Sequence, residues 1–294
     1  TMIARDYNEI ISYSFIDPEW EADYGSSEDP VELANPLSEN MSVMRTSLLP
    51  GLLSSALLNV NRQVDRIRLF EIGNTYHLDA NDANETREIQ RLGVICSGTI
   101  LPSSWEGDVR LADLFDVKSD IQAILYLAQF VNTFTFSGLD HKPLVNNQSL
   151  SVYVDKEKVG WLGRLQPALE RKLGFESPVY AFELRLDRLG SQQLASYQVI
   201  SKLPVVKRDL ALVVKSDVAA GDVETTIKSI CGGEFAGIEL FDVYQGEKVP
   251  DGCKSLAYRI TLQSVEKTLA DEDIDRVVTE ILKQLAQMYG ATLR

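Results

Sequence analysis

The sequence predicts an α+β protein in two parts, a mostly antiparallel sheet backed by helices and then a smaller βαββαβ domain. Strict alternation of apolar and polar residues marks strands in the last third, and its helices carry apolar residues three or four apart. The earlier part mixes strands, short hairpins and helices. We assign residues 1–190 to the first domain, 191–202 to a linker and 203–294 to the second domain.

In the first domain, the hydrophobic pattern and the turn residues predict each element in order. Strands are expected at Asn8–Ile16, Arg66–Leu78, Leu92–Gly98 and Val179–Leu184, with a hairpin at Ser151–Gly163 that turns at Lys156. Helices are expected at Ser47–Val64, at about Lys118–Phe130, and in a short segment closed by Gly174. These elements together predict an antiparallel sheet with helices packed against it.

The second domain is expected to begin with a strand at Lys207–Val214 and a helix at Gly221–Ile230. A hairpin follows, in which the turn at Gly246–Gly252 contains Pro, Asp and Gly. A long helix then has one apolar stripe, and it starts after Ala270, which lacks the side-chain oxygen of a good N-cap. The terminal ATLR supplies the last strand, so both helices cover one face of the sheet and leave the other face open.

The alternation also predicts which side chains lie on the open face. Phe241 and Val243 are expected under the helices, and the opposite set is expected on the open face: Ala211, Asp242, Tyr244, Ser255, Arg259, Thr261 and Arg294. A small residue lets a flat group approach, tyrosine stacks, aspartate accepts two donors, and arginines supply cations. These features are typical of a surface that binds an unstacked nucleobase of single-stranded RNA.

Several blocks in the same order resemble one family: LPVVKRDLALVV, FDVYQGE, KSLAYRITL, DEDI and GATLR. Residues 197–294 resemble the ferredoxin-fold anticodon-binding domain at the C-terminus of the bacterial phenylalanyl-tRNA synthetase beta subunit. The resemblance implies that the first anticodon base, a guanine, is contacted by Ala211, Asp242, Tyr244, Ser255 and Arg294. Arg259 and Thr261 are a possible additional RNA face.

Guanine has two adjacent donors that Asp242 can accept together, while Tyr244 stacks on the ring. A second interpretation of the same residues is structural: Tyr244 covers an apolar sheet surface and Asp242 pairs with a nearby Lys or Arg. A rival function is a ferredoxin-like module that binds a small molecule or a protein, carried on a degenerate synthetase scaffold.

The first domain resembles the synthetase-like domain of the same subunit, through Ala34–Leu53, Arg68–His77, Leu114–Leu125 and Val159–Pro167. The resemblance implies a class II synthetase-like antiparallel sheet. The family pattern is weaker at two places, in the segment Pro143–Ser149 and at Gln166.

This domain is expected to be noncatalytic, with no catalytic residue of its own. Adenylate formation in class II synthetases needs arginines and a glycine-rich strand around ATP, whereas the last strand here reads VYAFELRL. We interpret Arg45, Arg68 and Glu71 as structural. The resemblance implies that the chain binds no cofactor, whereas the assembled phenylalanine-tRNA ligase uses ATP and Mg²⁺.

The implied partners are phenylalanine tRNA and a catalytic alpha subunit in an (αβ)2 heterotetramer. The chain resembles a C-terminal fragment of the beta subunit, without the upstream domains. The helix over Leu48–Val60 is apolar on most sides, so it either contacts the alpha subunit or, the interpretation we favour, is buried in its own domain.

The net charge of −14 is unusual for an RNA-binding protein. Residues 196–294 hold 12 Lys and Arg against 15 Asp and Glu, so RNA recognition must be local rather than driven by phosphate contacts. Cys96, Cys231 and Cys253 have no metal-site or disulfide spacing, and neither does the pair His77 and His141. No metal site is expected, and without a membrane-spanning or signal segment a cytoplasmic location is expected.

Overall fold

The computed structural model describes residues 1–26, 28–79, 85–105, 107, 109–127, 134–189, 200–265 and 267–294. The chain forms two compact units, Thr1–Leu194 and Ala195–Arg294, which are treated separately below. Most of the linker predicted at 191–202 lies outside the described residues, so that boundary stays a prediction. Within the described residues, no helix is both long and apolar enough to cross a membrane.

Unit 1 is built on a seven-stranded sheet. Its strands are β1 (Asn8–Glu9), β4 (Ile67–Leu78), β5 (Thr86–Ser97), β6 (Phe134–Gly138), β7 (Leu144–Val154), β8 (Glu157–Leu165) and β9 (Val179–Arg185). Their order in the sheet is β1-β4-β5-β9-β8-β7-β6. Every pair in this sheet is antiparallel except the short β1–β4 pair. A separate small sheet pairs β2 (Phe15–Ile16) with β3 (Val43–Met44). The predicted mostly antiparallel sheet is confirmed.

Helices cover both faces of the large sheet. They are α1 (Pro18–Tyr24), α2 (Leu49–Val60), α3 (Leu114–Leu127) and α4 (Pro167–Leu173). One apolar cluster contains α3 residues such as Ile121 and Leu125, and a second contains Leu49, Leu52 and Leu53 of α2. Adjacent strand residues join different clusters because successive side chains point to opposite faces of a strand. The burial of α2 agrees with the interpretation that it packs within its own domain.

Several predicted elements of unit 1 differ from the structure. The strand expected at Leu92–Gly98 begins earlier, at Thr86, and the helix expected at Ser47–Val64 is shorter, Leu49–Val60. The single strand expected at Asn8–Ile16 is two short strands, β1 and β2, which belong to different sheets. The helix expected at about Lys118–Phe130 is α3, which begins at Leu114. Its predicted end at Phe130 lies outside the described residues. The predicted turns are confirmed: Lys156 has a φ of 70° in the β7–β8 hairpin, and Gly174, with a φ of 82°, ends α4.

Unit 2 is a four-stranded antiparallel sheet covered by two helices. The elements are β10 (Val206–Lys215), α5 (Ala220–Cys231), β11 (Phe235–Tyr244), β12 (Cys253–Leu262), α6 (Asp271–Tyr289) and β13 (Thr292–Leu293). The strand order in the sheet is β11-β12-β10-β13. This is the predicted βαββαβ arrangement, with the first and third strands in the centre. Its core joins the sheet to both helices through residues such as Tyr258, Ile227 and Ile281.

The two ends of α6 follow from local sequence. Ala270 occupies the N-cap position without a side-chain hydrogen bond, as expected. Three acidic residues in the first turn, Asp271, Glu272 and Asp273, suit the positive end of the helix dipole. Gly290 adopts a φ of 64° after the last turn, a conformation that glycine reaches without steric cost, and this directs the chain back into β13.

Candidate nucleic-acid interface

The sheet of unit 2 has one face under α5 and α6 and a second face that these helices do not cover. In the central strand β10, Leu210, Leu212 and Val214 are buried in the core beneath the helices. The alternate residues of β10 therefore lie on the other side of the sheet. We call this second side the open face.

The strand register brings the predicted site residues into two neighbouring rows on the open face. In the first row, Asp242 of β11 lies opposite Ala257, which lies opposite Ala211. The backbone N–H of Arg294 donates to the carbonyl of Ala211 at 2.9 Å, which extends this row to the end of the chain. In the second row, Tyr244 lies opposite Ser255. The five residues implied by the family resemblance are therefore neighbours.

Arg294 reaches across the open face to Tyr244. Its guanidinium carbon lies 4.9 Å from the centroid of the tyrosine ring, within cation–π range. Two strands separate Tyr244 from Arg294 in the sheet, and the side chains in the first row between them are those of Ala257 and Ala211. Both side chains are small, so they add little bulk to the sheet surface between Tyr244 and Arg294.

The carboxylate of Asp242 is exposed on the open face. Among the residues that the structure describes, no side chain or backbone N–H donates to it and no Lys or Arg forms an ion pair with it. The structural interpretation, in which a nearby Lys or Arg neutralises Asp242, is not observed there. An exposed carboxylate with both oxygens available can accept two parallel donors from a ligand.

Ser255 is less accessible than the alternation implied. It lies on the open face beside Tyr244 but is only 2% exposed. A ligand would therefore reach the Ser255 hydroxyl only after a local shift of the side chains around it. Ala211, in contrast, is partly exposed on the adjacent strand.

Phe241 is a surface residue that the sequence reasoning placed wrongly. The register between β11 and β12 shifts between Leu240 and Asp242, so Phe241 is an extra residue in a β-bulge. Its ring lies 5.2 Å from the guanidinium carbon of Arg259, which is on the open face, and it is 47% exposed. Phe241 therefore lies on the open face and not under the helices.

Arg259 and Thr261, the possible additional RNA face, continue along β12 beyond the two rows. Arg259 makes a two-pronged ion pair with Asp209 of β10, through contacts of 2.9 and 2.7 Å. These hydrogen bonds hold the pKa of Asp209 below its usual value. Thr261 lies opposite Lys207, one row further from Asp242.

The three residues of unit 1 that we interpreted as structural are buried and paired. Nη1 of Arg45 lies 2.8 Å from Oε1 of Glu71, and both side chains are almost fully buried. Arg68 lies 3.4 Å from the buried carboxylate of Asp120 and stacks over the ring of Tyr7. Each arginine is thus paired with a buried carboxylate, although Nε and Nη1 of Arg68 are buried without a hydrogen-bond partner among the described residues. A structural role for these residues stays a prediction.

The three cysteines are unpaired thiols. Burial raises the pKa of Cys96 to about 12 and that of Cys231 to about 11. Both thiols therefore stay protonated at neutral pH, which makes them poor nucleophiles and poor metal ligands.

Two family models match the chain. Residues 1–186 match the model described as the phenylalanyl tRNA synthetase beta chain CLM domain, and residues 201–294 match the model described as the ferredoxin-fold anticodon binding domain. Among solved structures, a pyrrolysyl-tRNA synthetase of Desulfitobacterium hafniense is 18% identical with a TM-score of 0.48, and the match covers 64% of this chain and 63% of that one.

Similar relatives carry the name phenylalanine--tRNA ligase beta subunit. The protein of Pseudoalteromonas translucida is 36% identical over 294 residues, and that of Pseudomonas syringae pv. tomato is 38% identical over 293 residues. Each match covers 100% of this chain and 37% of the relative, so the chain spans little more than a third of the length of these proteins. Because the first model alone covers more than half of the chain, we conclude that the chain belongs to the phenylalanyl-tRNA synthetase beta chain family.

Proposed function

We propose that the open face of unit 2 reads the first anticodon base of phenylalanine tRNA, as part of a phenylalanine-tRNA ligase. The observation that carries this proposal is the combination of the Tyr244–Arg294 pair with the unpartnered carboxylate of Asp242 on one exposed surface. The match to the anticodon-binding model over residues 201–294 supports it independently.

Guanine is the base that this surface suits best. Its Watson–Crick edge presents two adjacent N–H donors, which the two oxygens of Asp242 accept together. Tyr244 offers its ring as a stacking surface, and Ala211 leaves room for the base to approach the sheet. Adenine presents an acceptor where guanine presents a donor, so a carboxylate at this position discriminates against adenine.

Recognition is local, because the chain as a whole is acidic, with a net charge of −14. A surface of this kind gains little from counterion release along the RNA backbone. We propose that other parts of the assembled enzyme hold the backbone, and that they include a catalytic alpha subunit in an (αβ)2 heterotetramer. In this assembly, which we place in the cytoplasm, ATP and Mg²⁺ act at the alpha subunit, while unit 1 supports it without chemistry of its own.

The decisive experiment compares two variants in binding to phenylalanine tRNA. Tyr244→Ala should weaken binding about 5- to 150-fold, because stacking on an aromatic ring contributes about 1–3 kcal/mol per base. Asp242→Asn should reduce the preference for guanine over adenine at the first anticodon position, because asparagine has one acceptor where aspartate has two. Filter binding with tRNAs that differ at this base measures both effects.

Val243→Ala is the matched control, since Val243 is 55% exposed, lies between the two tested residues and is paired with Leu256 of the core. It should leave binding unchanged. If Tyr244→Ala and Asp242→Asn bind like the parent, the anticodon assignment is wrong and the rival function, a small-molecule or protein-binding module, takes its place. Pyrophosphate exchange with phenylalanine and ATP should be absent in the chain alone, and measurable exchange would contradict a noncatalytic unit 1.

A further inference from the structure

We infer that Phe241 and Arg259 form a second stacking site on the open face, which binds a base adjacent to the one held at Tyr244. This inference rests on the proposed function and adds a ligand contact that the sequence pattern did not predict. The occupant is a second nucleobase of the same single-stranded RNA segment.

Phe241 lies at a bulge on the open face. A bulge in β11 inserts this residue between Leu240, which faces the core, and Asp242, which faces the open side. Bulges redirect individual side chains and are common beside binding sites. Here the bulge turns a large apolar ring away from the core and leaves it 47% exposed, directly next to the carboxylate proposed to bind guanine.

A pair made of an arginine and an aromatic ring occurs twice on the open face. Arg294 lies over Tyr244 with 4.9 Å between the guanidinium carbon and the ring centroid, and Arg259 lies over Phe241 at 5.2 Å. An aromatic ring and a planar guanidinium are the two side-chain groups on which unstacked bases stack. The repeat predicts that an RNA strand crossing the face meets two stacking positions.

The charges around Arg259 favour a base over a phosphate as the occupant of this site. Arg259 lies in a row between Glu239 and Asp209, and Asp209 already neutralises its guanidinium through two hydrogen bonds. This row carries one cation and two carboxylates, so it repels a phosphate. A neutral base can still stack on Phe241, and the absence of a hydrogen-bonding group on that ring makes the site tolerant of base identity.

The test measures binding of the 294-residue chain to an RNA hairpin with the phenylalanine anticodon loop, in which each loop base in turn is replaced by an abasic residue. Phe241→Ala should weaken binding of the intact loop about 5- to 150-fold while the preference for guanine at the first position is retained. In this variant, removal of one particular base other than the first should cost nothing further. Phe241→Tyr should bind like the parent, since it keeps the ring.

Val243→Ala again serves as the matched control. Val243 is an exposed apolar residue of the same strand, but its side chain lies on the helix-covered side of the sheet and not on the open face. If Phe241→Ala binds normally while Tyr244→Ala binds weakly, the second stacking site does not exist and the proposed function stands. If Phe241→Ala weakens every abasic loop equally, the effect is not stacking and the inference is also overturned. If Tyr244→Ala, Asp242→Asn and Phe241→Ala all bind normally, the proposed function fails together with the inference.

Discussion

Charged side chains are used differently in the two units. In unit 1, the carboxylates of Glu71, Asp120 and Glu183 are at most 2% exposed, and each accepts hydrogen bonds from several partners. On the open face of unit 2, Asp242 is exposed and has no partner among the described residues, and the guanidinium of Arg294 lies over an aromatic ring. The hydrogen-bonding capacity of the first set is consumed by the fold, whereas that of the second set remains available to a ligand.

Glu183 illustrates how a buried carboxylate of unit 1 is used to hold the fold together. Its carboxylate accepts from the backbone N–H of Leu49 at 3.1 Å and from the hydroxyl of Ser47, at the start of α2. Arg91 lies 3.5 Å away on β5. A carboxylate at a helix N-terminus satisfies N–H groups that have no partner within the helix and favours the helix dipole. The strand that carries Glu183 is thereby fixed to the helix that covers it.

The largest expected effect is a loss of stability when a buried charge of unit 1 is removed, and its size tests whether the charges of unit 1 support the fold. Glu71→Gln removes the charge that compensates Arg45 while it keeps the shape of the side chain. Since a buried cation is then left without its counter-charge, the free energy of unfolding should fall by about 3–5 kcal/mol. Urea denaturation followed by circular dichroism measures this change.

The control for Glu71→Gln is Glu157→Gln, which removes an ion pair with Arg188 whose side chains are both about half exposed. That variant should lose less than about 1 kcal/mol, because exposed pairs are screened by solvent. If both variants lost the same free energy of unfolding, the buried ion pair would contribute no more to stability than the exposed pair, and the contrast described here would be wrong.

The second expected effect is a pH dependence that comes from burial in unit 1. His141 packs against Trp161 with 5.3 Å between ring centroids, and burial, reinforced by Lys158, lowers its pKa to about 4. The unfolded chain, with a histidine pKa near 6.5, binds this proton first as the pH falls. The contribution of His141 to stability is therefore complete above about pH 6.5 and declines between pH 6.5 and 4, by up to about 3 kcal/mol.

His141→Gln should lose this part of the pH dependence, because glutamine does not titrate. Unfolding of the parent and the variant, followed at pH 7, 6, 5 and 4, gives two stability curves whose difference isolates the histidine. Parallel curves over this range would show that His141 binds its proton equally well in the folded and unfolded states, which contradicts the burial described here.

The alternation of apolar and polar residues was sufficient to place Asp242, Tyr244 and Arg294 on one face, because that pattern depends on local geometry. It failed at Phe241, since a bulge changes the phase of a strand without a residue type that marks it in this sequence. It also gave no indication that Arg294 would cross two strands to reach Tyr244, because that contact depends on how distant segments align. The single strand expected at Asn8–Ile16 failed for a related reason: pairing partners far along the chain divide it between two sheets.

The smallest expected effect on stability comes from the exposed ion pair between Asp209 and Arg259 in unit 2. Asp209 is exposed, and its pKa is lowered by hydrogen bonds from Arg259 rather than by burial, so the pair stabilises the fold only above the pH at which Asp209 binds its proton. Asp209→Asn should barely change the thermal midpoint at neutral pH, and added salt should remove the remaining difference. It should also release Arg259 from its fixed place over Phe241, and it should change binding of the anticodon hairpin less than Phe241→Ala does, because the lost support of the ring and the lost repulsion of phosphate act in opposite directions. A fall in thermal midpoint as large as that of Glu71→Gln would show that this exposed pair holds the sheet together, and the division between structural charges in unit 1 and ligand-facing charges in unit 2 would not hold.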